Sequence, residues 1–194
     1  MIEKRIEQKY LVNQFNLDKF LFNNQKELKN LFNERKVLSR YFDTEDLKLF
    51  NESIDKDYDK FKVRFRRYNE SSKITKEIKF TNHFGKYKIS SATDYKNLEE
   101  IENFFYRGHY LIPTIEIEYS RNYFEFKGNR LTIDSHIKFS KTKNKNISKT
   151  LNDVFVLEIK KLENMQDTFF LKNPLFNARK FSKYEEGIKH IYML

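Results

Sequence analysis

The chain has 194 residues, a length that fits one domain spanning 1–194. It contains no cysteine, which excludes a disulfide scaffold, a thiol nucleophile and a Cys-ligated zinc site. Its 38 Lys and Arg against 28 Asp and Glu give a net charge of +10, a surplus that favours an anionic partner.

Leu, Ile, Val and Phe together number 58 of 194. That is well above the roughly 20% below which charged chains stay disordered, so a packed core is expected. No apolar run approaches the ~18–20 residues of a membrane span, and Met1 leads directly into Ile-Glu-Lys-Arg, not into an apolar leader. The expectation is a cytoplasmic protein, with any membrane association supplied by a partner.

Taken in chain order, the segments mostly alternate with period 2, which predicts strands. Ile2 to Val12 sets Glu3, Arg5, Glu7 and Lys9 on one face. Leu17 to Phe32 instead repeats Phe20, Leu21, Leu28, Leu31 and Phe32 at helical spacing, with Asn16 as a cap. Val37 to Phe42 is a second strand, and Thr44 can cap a short helix through Leu49. Phe61 to Tyr68 places Lys62, Arg64 and Arg66 opposite Val63 and Phe65. Ile74 to Thr81 follows, and Lys86 to Ser90 can pair with it across a turn at Gly85. Leu98 to Phe105 supports a further helix. Thr114 to Phe126 and Arg130 to Phe139, joined by Lys-Gly-Asn, predict a hairpin. Ser140 to Lys149 is a Lys- and Asn-rich stretch expected to be a mobile basic loop. Asp153 to Lys161 is the last strand, and Phe181 to His190 a closing helix. Turns this short between strands require antiparallel pairing.

Charged residues line up on single strand faces: Arg5-x-Glu7-x-Lys9, Lys62-x-Arg64-x-Arg66, Glu77-x-Lys79 and Glu158-x-Lys160. Such faces suit either an outward surface laced with cross-strand ion pairs or a closed lumen that a polyanion would neutralise. One parity conflict stands out. Arg121 shares a face with Ile115, Ile117 and Tyr119, while Glu116 and Glu118 point the other way. Either a bulge re-aims Arg121 or the two carboxylates line one end of a lumen.

An ordered set of segments carries a resemblance. It runs Arg5-Ile-Glu-Gln-Lys9-Tyr10, Arg40-Tyr-Phe-Asp43-Thr44, Lys62-Val-Arg64-Phe-Arg66-Arg67-Tyr68 and Glu77-Ile-Lys79. It continues through Pro113 to Tyr119-Ser-Arg121, Arg130-Leu-Thr-Ile-Asp134, Val156-Leu-Glu158-Ile-Lys160 and Lys180-Phe-Ser182-Lys183-Tyr184. In this order they resemble the polyphosphate polymerase domain of the vacuolar transporter chaperone family, within the CYTH-like triphosphate tunnel metalloenzyme superfamily.

The resemblance implies an α+β fold: an antiparallel eight-stranded β-barrel, the triphosphate tunnel, with a few short flanking helices. It implies phosphate binding by Lys9, Arg64, Arg66, Lys79, Lys88, Tyr119, Arg121, Arg130, Lys180, Ser182 and Lys183. Lys9, Arg64, Arg66, Lys79, Arg121 and Lys183 would serve the reaction directly. Glu158 would hold a divalent metal, manganese or magnesium, with Glu7 as a second candidate and Glu3 near the opening.

The implied activity is transfer of phosphate from ATP to inorganic polyphosphate, with no nucleic-acid partner. A tripolyphosphate or nucleoside-triphosphate hydrolase, or a non-catalytic polyphosphate-binding module, would use the same grip. The hydrolase branch opens with Glu-x-Glu-x-Lys. Here Arg5 replaces the first Glu, which favours the polymerase reading. Phosphoryl transfer asks mainly for positioning and charge neutralisation, so none of His83, His109, His136 and His190 needs a catalytic role.

Overall fold

The computed structural model describes residues 5–55, 59–69, 71–83, 85–162 and 181–194. The strands are β1 (Arg5–Val12), β2 (Leu28–Asp43), β3 (Lys60–Tyr68), β4 (Thr75–Asn82), β5 (Gly85–Ala92), β6 (Phe104–Tyr106), β7 (His109–Phe126), β8 (Asn129–Lys141), β9 (Ser148–Thr150) and β10 (Phe155–Leu162). The helices are α1 (Gln14–Asn24), α2 (Lys48–Ile54) and α3 (Lys183–Tyr192). The strands form one antiparallel sheet in the order β1-β10-β8-β7-β2-β3-β4-β5, with β6 added on β7 and β9 on β8. The fold is therefore α+β, and its main path has the eight strands expected. Among the described residues no helix is long and apolar enough to cross a membrane.

The chain divides into two compact units. The first comprises Met1–Arg35, Tyr119–Ile137 and Leu151–Phe181; the second comprises Lys36–Glu118, Lys138–Thr150 and Ser182–Leu194.

In the first unit, Tyr10, Val12, Leu131, Ile133, Leu157 and Ile159 alternate inward from β1, β8 and β10. They pack with Leu17 and Phe20 of α1 and with Phe126 of β7. Asn13 starts α1, its side chain accepting from the Asn16 amide at 2.9 Å. The predicted helix therefore begins one turn earlier, with Asn13 and not Asn16 as its cap. It also ends earlier, because residues 28–32 open β2. Leu28, Leu31 and Phe32 have the spacing of either element, and long-range pairing decides. Glu34 accepts from Ser120 Oγ and Asn122 Nδ2 of β7, and the Phe32 ring meets Tyr123 edge-on.

In the second unit, Phe61, Val63 and Phe65 of β3 pack with Ile78 and Phe80 of β4 and with Phe42, Leu49, Ile74, Leu98, Ile101 and Leu111. Burying each such side chain contributes about 1.5–3 kcal/mol. The predicted helix at Leu98–Phe105 is instead one 3-10 turn, Leu98–Glu100, followed by β6. Phe104 to Tyr106 pairs with His109 to Leu111 across Arg107 and Gly108, both at positive φ, the turn that matches strand twist. The expected basic loop is largely a hairpin: Ser148–Thr150 pairs with Lys138–Ser140, and Lys145 ion-pairs with Glu99 and Glu116.

Candidate functional site

In the second unit, one sheet face collects the polar residues. Register places Ser39 opposite Arg66 and Tyr41 opposite Arg64 on β2 and β3. It places Lys62 opposite Lys79, Arg64 opposite Glu77 and Arg66 opposite Thr75 on β3 and β4. Lys79 faces Lys88, and Glu77 faces Ser90, on β4 and β5. Directly opposed residues share a face, so Lys62, Arg64, Arg66, Lys79 and Lys88 lie together.

Glu77 sits at the centre of these cations and is buried. One of its oxygens takes both Nε (2.6 Å) and Nη2 of Arg64 and lies 3.6 Å from Arg66 Nη1. The other accepts from Lys88 Nζ at 2.8 Å. Burial alone would raise the Glu77 carboxyl. Arg64, Arg66 and Lys88 outweigh it and hold the group well below the ordinary carboxylate range. The arginine forks are oriented further by neutral groups. Arg64 Nη1 donates to Tyr41 Oη at 2.7 Å, and Arg66 Nε donates to Ser39 Oγ at 2.9 Å. Burial pushes the Tyr41 phenol up, but Arg64, Arg66 and Lys62 bring it below its usual value.

Helix α3 is fastened to the same unit. Ser182 caps it, its hydroxyl accepting from the Glu185 amide. Lys62 Nζ donates to Ser182 Oγ at 3.1 Å and to Glu185 at 2.6 Å, above the Tyr184 ring. Tyr184 is buried, stacks on Tyr41 at 5.0 Å and donates to Asp43. Asp43 also accepts from the backbone N–H groups of Thr44, Leu49 and Phe50, so it caps α2 from outside the helix, while Thr44 Oγ1 takes the Lys48 amide. Burial raises Asp43 above its ordinary value despite these donors. Burial and the Asp43 charge raise Tyr184 further still, which keeps its proton on the phenol.

In the first unit the polar face is Glu7 and Lys9 on β1, Glu158 and Lys160 on β10, and Arg130, Thr132 and Asp134 on β8. Arg121 Nε and Nη2 grip Asp134 at 2.5 and 2.7 Å, with the guanidinium over the Tyr119 ring at 5.2 Å. Burial would lower Arg121, but Tyr119, Asp134 and Glu158 raise it well above its ordinary value. Lys9 Nζ donates to the Phe181 carbonyl at 3.1 Å and lies 3.9 Å from Glu158. Lys160 bridges Glu7 and Glu158.

The two faces of β7 have different partners. Ile115 packs toward Gly187 of α3, and Arg121 meets Asp134. On the opposite face Glu116 is buried against Arg40, whose Nη2 lies 2.6 Å away. Glu116 is therefore a buried structural ion pair. The irregular backbone lies in β8, where His136 has φ 52.

The surroundings of Glu158 decide whether it suits a metal ion. Its carboxylate is buried, and its cross-strand neighbour Thr132 has a buried hydroxyl with no hydrogen-bond partner among the described residues. Adjacent oxygen donors of this kind suit magnesium or manganese. No three His, Asp or Glu side chains converge among the described residues. An ion held at Glu158 would rest on one or two carboxylates, beside Lys9 and Lys160, with phosphate oxygens completing its shell.

The structure brings together Arg64, Arg66, Lys79 and Lys88 in one unit, and Lys9, Tyr119, Arg121, Arg130, Glu7 and Glu158 in the other. Ser182 and Lys183 open α3, with Ser182 engaged as its cap. Lys180 and Glu3 lie outside the described residues. Sequence reading assigned no role to Tyr41, Ser39, Asp43, Tyr184 or the Glu77 carboxylate. The alternation Ser39, Tyr41, Asp43 was the signal available for three of them.

The fold resembles solved structures at low identity. A candidate adenylate cyclase from Bacillus halodurans matches at 17% identity and TM-score 0.54, over 82% of this chain and 81% of that one. A candidate adenylyl cyclase from Hippeastrum, described with a dominant triphosphatase activity, matches at 12% identity and TM-score 0.50, over 82% and 80%. A Pyrococcus horikoshii protein matches at 14% identity and TM-score 0.50, over 98% and 87%. No curated protein sequence matches the chain. The VTC domain family model matches residues 4–96 and 83–192, almost the full length. With its α+β antiparallel fold and the two basic strand faces, the chain belongs to the VTC domain family.

Proposed function

We propose that this VTC-domain chain is a metal-dependent phosphotransferase that extends inorganic polyphosphate with the terminal phosphate of ATP. The observation that carries this reading is the convergence of Arg64, Arg66 and Lys88 on one sheet face around a single carboxylate, Glu77, with Lys79 directly opposite Lys88. The cluster is rich in forked donors and retains a positive excess. That suits a chain of phosphates better than one isolated carboxylate ligand.

In this reading Arg64 and Arg66 grip phosphate oxygens through their planar forks, and Lys79 and Lys88 act as point charges. Ser182 and Lys183, at the start of α3 in the same unit, add polar contacts to the polyanion, and in the first unit Lys9, Tyr119, Arg121 and Arg130 form a phosphate-binding face of their own. A terminal oxygen of the acceptor polyphosphate attacks the γ-phosphorus of ATP. The new P–O bond forms as the bond from that phosphorus to the β–γ bridging oxygen breaks, and ADP leaves. The catalytic demand is positioning and charge neutralisation. Glu158, with Glu7 beside it, would hold a manganese or magnesium ion, which when bound supplies charge neutralisation on phosphate oxygens.

The test is incubation with ATP and manganese, with phosphate products resolved by length, beside Glu158→Gln and a metal-free control. Long polymers that disappear in both controls support the proposal. Orthophosphate alone moves the chain to hydrolysis. Tripolyphosphate binding without turnover leaves a binding module.

A further inference from the structure

The cluster in the second unit contains one group that a phosphate-binding face does not need. Glu77 is an anion placed where an anionic substrate is to bind. It is not a peripheral counter-ion. Its relative exposure is 5%, and both oxygens are committed, one to Arg64 and Arg66 and the other to Lys88. It takes the side fork of Arg64, the same Nε and Nη2 pair that a phosphate would use for bidentate contact. Other groups already set the direction of these arginines, since Tyr41 accepts from Arg64 and Ser39 from Arg66. Orientation of the forks therefore does not depend on Glu77 alone.

We propose that Glu77 is a built-in competitor that weakens the grip of Arg64, Arg66 and Lys88 on phosphate, so that a bound chain can be released. This rests on the reading that this face binds phosphate. A site made only of buried cations would hold a polyanion tightly and release it slowly. A fixed carboxylate in the cluster repels every arriving phosphate and reclaims the arginine fork when a phosphate departs. Glu77 acts through the cations, so it is a positioning residue that trades affinity for turnover. Being held far below the ordinary carboxylate range, it carries its charge throughout the neutral range.

The experiment is calorimetric titration of tripolyphosphate into the full chain, without divalent metal, comparing wild type with Glu77→Gln and Glu77→Asp. Gln keeps hydrogen-bonding capacity and removes the charge; Asp keeps the charge. Removing one negative charge a few ångströms from the ligand is expected to tighten binding by about tenfold. Asp is expected to stay near wild type. With ATP and metal, Glu77→Gln is expected to lower KM and kcat together, the signature of slowed release. Circular dichroism confirms that each variant is folded. Binding by Glu77→Gln that is unchanged or weaker than wild type overturns the proposal while leaving the phosphate-binding reading intact. Absence of tripolyphosphate binding by wild type itself ends that reading, and this proposal with it.

Discussion

Arg64 illustrates how far a single residue's partners determine what it does. Its guanidinium bonds to Glu77 through one edge and to Tyr41 through Nη1. Replacing it by Ala removes a forked donor, which in the proposed function grips phosphate, and leaves the buried Glu77 facing fewer cations. Arg64→Ala is therefore expected to weaken tripolyphosphate binding about tenfold to a hundredfold, and Arg64→Lys to recover only part, because a lysine offers no planar fork. Titration calorimetry reads both. The Glu77 carboxyl also makes stability depend on pH. Its folded value is depressed, so its contribution is present above the ordinary carboxylate pKa, near pH 4.5, and is lost as pH falls from there toward the folded value. Thermal melts from pH 7 to pH 3 are expected to lose more stability in wild type than in Glu77→Gln. At Asp43 the carboxylate serves Tyr184 and three backbone amides at once. Asp43→Ala strands all of these donors and is expected to cost about 3 kcal/mol, read as a lowered denaturation midpoint, whereas Tyr184→Phe removes one bond and costs about 1 kcal/mol.

Among the elements, α3 depends most on a close approach. A Cβ on Gly187 would lie 2.6 Å from Ile115 Cδ1 and 2.9 Å from Phe139 Cδ1. Ile115 Cδ1 is a chain end that can rotate, but the Phe139 ring is stacked on His190 at 5.9 Å and has less freedom. The helix-propensity gain of Ala over Gly, about 1 kcal/mol, is outweighed by overpacking of about 1–3 kcal/mol. Gly187→Ala is expected to be destabilising by about 1 kcal/mol, and adding Ile115→Val is expected to recover part of it. Chemical denaturation of the single and double variants tests this coupling. The helix boundaries show where sequence patterns fall short. Leu28, Leu31 and Phe32 satisfy helical spacing, yet they open β2 because Glu34 is held by Ser120 and Asn122. Long-range hydrogen bonds of that kind override a local periodicity. Similarly, Asp43 caps α2 across several intervening residues, a link that no capping motif in the sequence announces.

For the whole molecule, the net charge of +10 predicts a strong ionic-strength dependence. The Debye length falls from about 10 Å at 0.1 M salt to about 3 Å at 1 M, so distant lysines stop contributing while the buried Arg64 and Arg66 contacts persist. Tripolyphosphate affinity is expected to fall steeply up to a few hundred millimolar salt and then level off. A flat response would place the binding charge elsewhere.

The sequence by itself determined most of the strands, because period-2 alternation follows from the pleat; the start of β2, and β6 and β9, escaped it because their pairing is set by partners distant in the chain or by a tight turn. It also determined the family, through an ordered set of motifs running nearly the whole length. The charged faces of β1, β3, β4 and β10 were legible for the same local reason. What only the tertiary structure decided was pairing: Arg64 with Glu77, Arg121 with Asp134, Tyr184 with Asp43, and Glu116 with Arg40. These partners come from different elements, and register and burial select among many possible carboxylates. Charge alternation along one strand states which side a cation takes. The free energy of desolvating two opposite charges together depends on where a second strand or helix places the other.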